Sequence, residues 1–148
     1  MADIVSPSVR SRMMSGIKSK NTRPEMVIRR QLHGMGFRYR LHSKQLPGKP
    51  DIIFPKYHAV IFVHGCFWHG HDCSLFKWPS SNIEFWKNKI NSNRERDISN
   101  KQKLQAASWR VAIVWECAIR KSGAYDKGLT QNLADWLVSN SDYLEIGN

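Results

Sequence analysis

Residues 58–73 read "HAVIFVHGCFWHGHDC". The first half is an apolar, β-branched run closed by glycine, the pattern of a strand buried on both faces. The second half crowds His64, His69, His71, Cys66, Cys73, Phe67 and Trp68 into the loop that follows. Residues 109–117, "WRVAIVWEC", repeat the plan, with a buried strand ending on Cys117. If the two strands are parallel neighbours, their carboxyl ends bring these side chains together, at the edge where α/β sheets carry their sites.

The remaining elements fit around that pair. "TRPE" predicts a helix start, with Thr22 as N-cap, Pro24 in the first turn and Glu25 closing a capping box. Met26, Ile28, Leu32 and Met35 form its apolar stripe, and "GMGF" stops it. "LPGKP" is a turn leading into a short strand, Asp51 to Phe54. A long amphipathic helix runs from about Asn82 to Ala107, and a last one from about Leu129 to Val138. Helix, strands, helix, strand, helix is the order of a mixed α/β sandwich.

The chain has 148 residues and a formal net charge of +11. That length suits one compact domain, 21–148, behind a basic arm, 1–20, that becomes ordered on a partner. Arg10, Arg12, Lys18, Lys20, Arg23, Arg29 and Arg30 crowd its first thirty residues. A cationic excess so placed favours a nucleic-acid partner, since each cation set against a phosphate releases a counterion. No run approaches the roughly 18 apolar residues of a membrane span. The amino-terminal stretch lacks a secretory core, and three cysteines suit a reducing cytosol rather than a disulfide framework.

Cys66, His71 and Cys73 form a C-x4-H-x-C cluster, and Cys117 is the remaining cysteine. A Cys3His site would use every thiol. Zinc takes four such ligands in a tetrahedron, and a closed set is structural because no position is left for water. Incidental buried cysteines would explain the count but not the histidine spacing. Zinc there would contribute on the order of 10 kcal/mol towards folding.

With His71 assigned to the metal, His64 and His69 are left at the sheet mouth. Asp51 opens the preceding strand. An acid in that position resembles the metal-binding half of restriction-type nucleases, although the acidic-x-Lys motif expected next is absent at Phe62-Val63-His64. His64 would stand in for the lysine. Ile83, Ile90, Asp97 and Leu104 recur every seven residues and so share one helix face. An acid on an apolar face needs a partner: a histidine that it would orient, or Arg94 or Arg96. Glu25 is fully accounted for by the capping box. Phe67 and Trp68, on a short polar loop of a basic protein, suit insertion between bases. Trp86 follows Ile83 at helical spacing and reads as core.

Two rival readings are specific. "GCFW" is the active-site tetrapeptide of peptide methionine sulfoxide reductases, but here His69 replaces the glycine that follows it. A non-catalytic zinc DNA-binding module would keep the arm, the cluster and the aromatics, with no use for Asp51 and His64.

"LPGKPDIIF", "VIFVHGCFWH", "EFW-x-x-KI", "N-x-ERD" and "WRVAIVWEC", in near-colinear order over most of the chain, resemble the very short patch repair endonucleases. The resemblance implies a restriction-endonuclease-like fold: a mixed sheet flanked by helices, with a structural zinc site. It implies a Mg2+-dependent nick 5′ to the thymine of a T:G mismatch left by deaminated 5-methylcytosine. Carried over by position, Asp51 and the backbone carbonyl of Val63 hold Mg2+. His64, His69, Asp97 and Glu25 complete the active site. Cys66, His71, Cys73 and Cys117 hold Zn2+. Phe67, Trp68 and Trp86 wedge beside the mismatch, and Met14 inserts from the opposite groove. The implied setting is double-stranded DNA in the bacterial cytoplasm, at the nucleoid, with the protein acting as a monomer and mismatch-repair proteins as partners. The chain departs from the family pattern at Val63, Gly70 and Asp72.

Overall fold

The structure, a computed structural model, describes residues 22–73, 75–121 and 127–147. The basic arm and Met14 lie outside the described residues.

Helix α1 (Arg23–Gly34) starts as its sequence dictates: the Thr22 hydroxyl accepts the Glu25 N–H at 3.4 Å, and Pro24 occupies the first turn. Ile28 and Leu32 are buried, but Met35 is the C-cap and 44% exposed, so it does not extend the apolar stripe. Gly36, at φ +100°, ends the helix in a conformation that suits glycine. Five strands follow: β1 (Arg40–Leu41), β2 (Ile52–Phe54), β3 (Ala59–His64), β4 (Arg110–Trp115) and β5 (Tyr143–Ile146). They form one sheet in the order β1-β2-β3-β4-β5, antiparallel across the first two junctions and parallel across the last two. Helix α2 (Ile83–Ala106) is the crossover from β3 to β4. Helix α3 (Glu116–Lys121) follows β4 directly, and α4 (Lys127–Leu137) leads to β5.

Strand alternation sorts the core into two layers. Ile52, Phe54, Ile61, Ala112 and Val114 face α1 and α4, against Ile28, Leu32, Leu133 and Leu137. Ile53, Val60, Phe62, Val111, Ile113 and Trp115 face the other way, with Leu104 of α2 and the thiols of Cys66 and Cys117. Each fully buried aliphatic side chain contributes about 1.5–3 kcal/mol. Covering both faces is therefore what holds the parallel β3–β4 pair at the centre. This mixed five-stranded sheet with flanking helices fits an α/β nuclease fold.

Three further expectations need correction. The strand expected through Cys117 stops at Trp115, and Cys117 stands in the short helix α3. Ile83 is 45% exposed, so the buried face of α2 begins at Ile90. Trp86 belongs to neither core layer and is half-buried outside both.

Candidate active site and metal centre

Strands β3 and β4 run parallel with His64 paired to Trp115, so the loop after β3 and the start of α3 leave the sheet side by side. One donor atom each from Cys66, His71, Cys73 and Cys117 lies within 4.8 Å of the others. The Cys117 N–H donates to Cys66 Sγ at 3.3 Å, and Cys117 Sγ lies 3.5 Å from His71 Nδ1. Burial pushes the Cys66 thiol up and lowers His71, so without a cation these two groups favour the thiol and the neutral imidazole. A tetrahedron with zinc–sulfur bonds of about 2.3 Å has edges near 3.8 Å, so the soft donor set fits that metal. Helix α2 pins the loop: Asn93 donates to the Trp68 carbonyl at 2.8 Å, and Arg94 Nε to the Gly70 carbonyl at 3.0 Å. Gly70 sits at φ +61° with Arg94 and Ile90 where a Cβ would project, so no L side chain fits there without rearrangement.

Beside this cluster a cleft of about 470 Å³ is lined by Asp51, Val63, His64, His69 and Asp97. Its rim carries Lys44, Lys49 and Lys101. Asp51, at the mouth of β2, accepts the Val63 N–H at 2.7 Å. Burial pushes its carboxyl up to about 7, opposed by that N–H and reinforced by the charge of Glu25. A buried carboxylate strained in this way suits a hard divalent cation. Across the cleft, His69 Nδ1 lies 2.5 Å from Asp97 Oδ2. The histidine, not an arginine, is thus the partner of Asp97; Arg94 is turned to Gly70, and Arg96 lines a separate groove with Phe85 and Lys89. His64 stacks on His69 with ring centroids 3.8 Å apart and planes 2° apart. Burial, then the neighbouring His69 and His71, hold His64 well below the usual histidine range, so it is neutral at pH 7.

Glu25 does more than cap. Its carboxylate, 1% exposed, accepts from Arg29 at 2.8 Å and lies 2.9 Å from His42 Nε2. Glu25, His42 and Asp51 bring donor atoms within 4.8 Å of one another. His42 is the site residue that sequence reasoning missed. It adopts φ +49° just after β1, and its N–H reaches the Asp51 carbonyl at 3.3 Å. Nothing in "RYRLH" marks it, because its position depends on the β1–β2 pairing.

Phe67, Trp68 and Trp86 form a cluster of their own, with centroids 5.3, 5.5 and 5.9 Å apart. Phe85 extends it and is 58% exposed. Of the expected site residues, Asp51, Val63, His64, His69 and Asp97 line one cleft, Glu25 stands beside Asp51, Cys66, His71, Cys73 and Cys117 form one cluster, and Phe67, Trp68 and Trp86 form another; Met14 lies outside the described residues.

Asp51, one residue before β2, thus shares a cleft with the His69–Asp97 pair and with Lys44, Lys49 and Lys101, on a fold that fits an α/β nuclease. The family model described as DNA mismatch endonuclease Vsr matches residues 2–75. The DNA mismatch endonuclease Vsr of Escherichia coli is 44% identical over 147 residues, 99% of this chain and 94% of the relative. The Type II nicking enzyme V.XorIIP of Xanthomonas oryzae pv. oryzae is 48% identical over 135 residues, 91% of this chain and 98% of the relative. The Type II nicking enzyme V.NmeAIP of Neisseria meningitidis is 48% identical over 120 residues, covering 81% of this chain and 86% of its own length. The chain belongs to the Vsr family of DNA mismatch endonucleases.

Proposed function

We propose that the protein nicks double-stranded DNA 5′ to the thymine of a T:G mismatch, in very short patch repair of deaminated 5-methylcytosine. The reading rests most heavily on one observation: Asp51 and the His69–Asp97 pair share a cleft rimmed by lysines. Lysines there attract and seat a phosphate backbone.

Asp51 and the Val63 carbonyl would hold Mg2+; when bound, it would stabilise charge on the pentacovalent phosphate and the leaving 3′-oxygen. A carboxylate beside Nδ1 holds the proton there and leaves the other ring nitrogen of His69 to accept one from the attacking water. Neutral His64, stacked behind it, restricts the tilt of that ring and can donate one hydrogen bond to the phosphate. Glu25, on α1 and held by Arg29 and His42, adds its charge to the field at Asp51. Cys66, His71, Cys73 and Cys117 would hold a structural Zn2+. That metal would stiffen the loop carrying Phe67, Trp68 and His69.

Selection of the mismatch would come from the Phe67–Trp68–Trp86 cluster. A T:G pair resists unstacking less than a matched pair, so an aromatic wedge enters there at lower cost. Met14, on the basic arm, would insert from the other groove. The protein would act as a monomer on DNA of the bacterial nucleoid, with mismatch-repair proteins as partners. No helix among the described residues is long and apolar enough to cross a membrane.

The test separates chemistry from binding. Asp51→Ala should bind T:G duplex within about three-fold of wild type while its nicking rate falls by about 10³ or more, the scale of losing metal-assisted charge stabilisation. Full nicking by this variant would overturn the assignment of Asp51.

A further inference from the structure

Trp115 ends β4, and its indole touches both groups of histidines. One face lies on the ring of His71, with centroids 4.1 Å apart and planes 6° apart. In T-shaped contacts it also meets His64 at 5.1 Å and His69 at 6.2 Å. The rings therefore form an unbroken series, His71–Trp115–His64–His69, that ends on Asp97. His64 is 6% exposed, and its Nδ1 has no hydrogen-bond partner among the described residues. With that atom unbonded, the rotation of the ring depends on the surfaces packed against it, and Trp115 supplies one of them.

The indole is itself keyed from the other side. Its Nε1–H donates to Glu145 Oε2 at 2.9 Å, and the Tyr143 hydroxyl donates to Glu145 Oε1 at 2.5 Å. Gly147 packs so closely that an added Cβ would stand 2.6 Å from Trp115 Cδ1. A buried indole N–H usually takes a hydrogen-bond partner, and the direction of that bond adds to packing in setting how the ring sits. Strand β5 provides that partner, and no step of the proposed reaction uses Glu145 directly.

We propose that Trp115, oriented by Glu145 of β5, is a positioning residue for the nicking reaction: it ties the His64–His69 stack to the cysteine–histidine cluster. Displacing a reacting group by about 1 Å can cost on the order of 100-fold in rate. A series of rigid rings is a direct way to prevent that displacement. The inference rests on the nuclease reading above.

The test uses Glu145→Ala, Glu145→Gln and Trp115→Phe in the full-length protein. Four quantities are measured: single-turnover nicking of a T:G duplex, duplex Kd, zinc content, and the nitrogen-15 signals of the histidine rings. Glu145→Ala should slow nicking about ten-fold with Kd and zinc content unchanged, and Trp115→Phe should slow it at least as much. Glu145→Gln, whose amide oxygen still accepts the indole N–H, should nick close to the wild-type rate. The His64 and His69 signals should shift in Glu145→Ala and Trp115→Phe but not in Glu145→Gln. Wild-type rates and unshifted histidine signals in Glu145→Ala and Trp115→Phe would overturn the proposal, as would a rate loss that only tracks lost zinc or lost folded protein. If wild type nicks no duplex, the nuclease reading fails by itself, and the histidine signals still decide whether Trp115 positions the stack.

Discussion

Asp97 Oδ2 lies 2.5 Å from His69 Nδ1, brought there by α2 from 28 residues further along the chain. The contact supports the proposed roles. A carboxylate at Nδ1 keeps the proton on that nitrogen and the lone pair on the other, which is the arrangement a general base needs. Removal of either partner should therefore lower the rate without abolishing DNA binding. His69→Ala should lose about 10²–10⁴ in single-turnover rate, the usual worth of a positioned base. Asp97→Asn should lose less, because the imidazole survives without a fixed tautomer. Full nicking by His69→Ala at saturating Mg2+ would remove His69 from the mechanism.

Asp51 predicts a pH signature. Its folded carboxyl is pushed up to about 7 by burial, whereas an unfolded aspartate titrates near 3.9. The folded state thus binds the proton more tightly than the unfolded chain does. The stability this contributes is complete below the unfolded value and is lost as pH rises through about 7. A cation on the ionised carboxylate should restore it. The rise in Tm on adding Mg2+ should accordingly be larger at pH 8 than at pH 5.5, and should be nearly absent in Asp51→Asn. A rise that is independent of pH, or that survives the substitution, would show that the cation binds elsewhere.

His42 is expected to be structural for Glu25. With Glu25 1% exposed and His42 Nε2 at 2.9 Å, His42→Ala leaves a buried carboxylate with one partner fewer. A cost of about 1–3 kcal/mol, read as a lowered Tm, is the scale for such a loss. His42→Gln should recover part of it. An unchanged Tm in His42→Ala would mean that the remaining partners of Glu25, Arg29 among them, satisfy it without the histidine.

The sequence made some of this legible and hid the rest for identifiable reasons. The cysteine–histidine cluster could be read because three of its four residues stand in one loop and Cys117 follows the other long apolar run, so the parallel pairing of β3 and β4 brings them together. Asp97 stood out as an acid on a buried helix face; its partner stayed open because Arg94 and Arg96 were as near in sequence as His69 was in space. The chemistry of β5 was invisible. "YLEI" is four residues of half-exposed edge strand, with a glutamate where an apolar residue would have marked burial. His42 was hidden for the same reason: β1 has two residues, both exposed. Trp86 was misread because period alone does not distinguish a core face from an aromatic patch beside a loop.

The metal cluster should titrate as one unit. Purified protein should contain one zinc per chain, and Cys117→Ser should lose both zinc and thermal stability. Because His69 follows Cys66 in the same loop, chelation should also slow nicking even with Mg2+ in excess. Wild-type zinc content in Cys117→Ser would contradict the four-ligand set.

Trp68 should govern discrimination. In its cluster with Phe67 and Trp86, it presents an aromatic face beside the cleft loop. Trp68→Ala should weaken binding to T:G duplex by about 1–3 kcal/mol, the range for a base-stacking aromatic, and weaken binding to matched duplex less. Equal losses on both duplexes would assign Trp68 to loop packing alone.

The central claim is tested most directly by single-turnover nicking of end-labelled duplexes. One duplex carries a T:G mismatch and one a T:A pair, each with Mg2+ and with EDTA, across several flanking sequences. The account predicts a Mg2+-dependent break 5′ to the mispaired thymine, with the T:A duplex left intact. Binding of mismatched duplex without a break in any sequence context would contradict it, and would leave a DNA-binding protein whose Asp51 cleft does no chemistry.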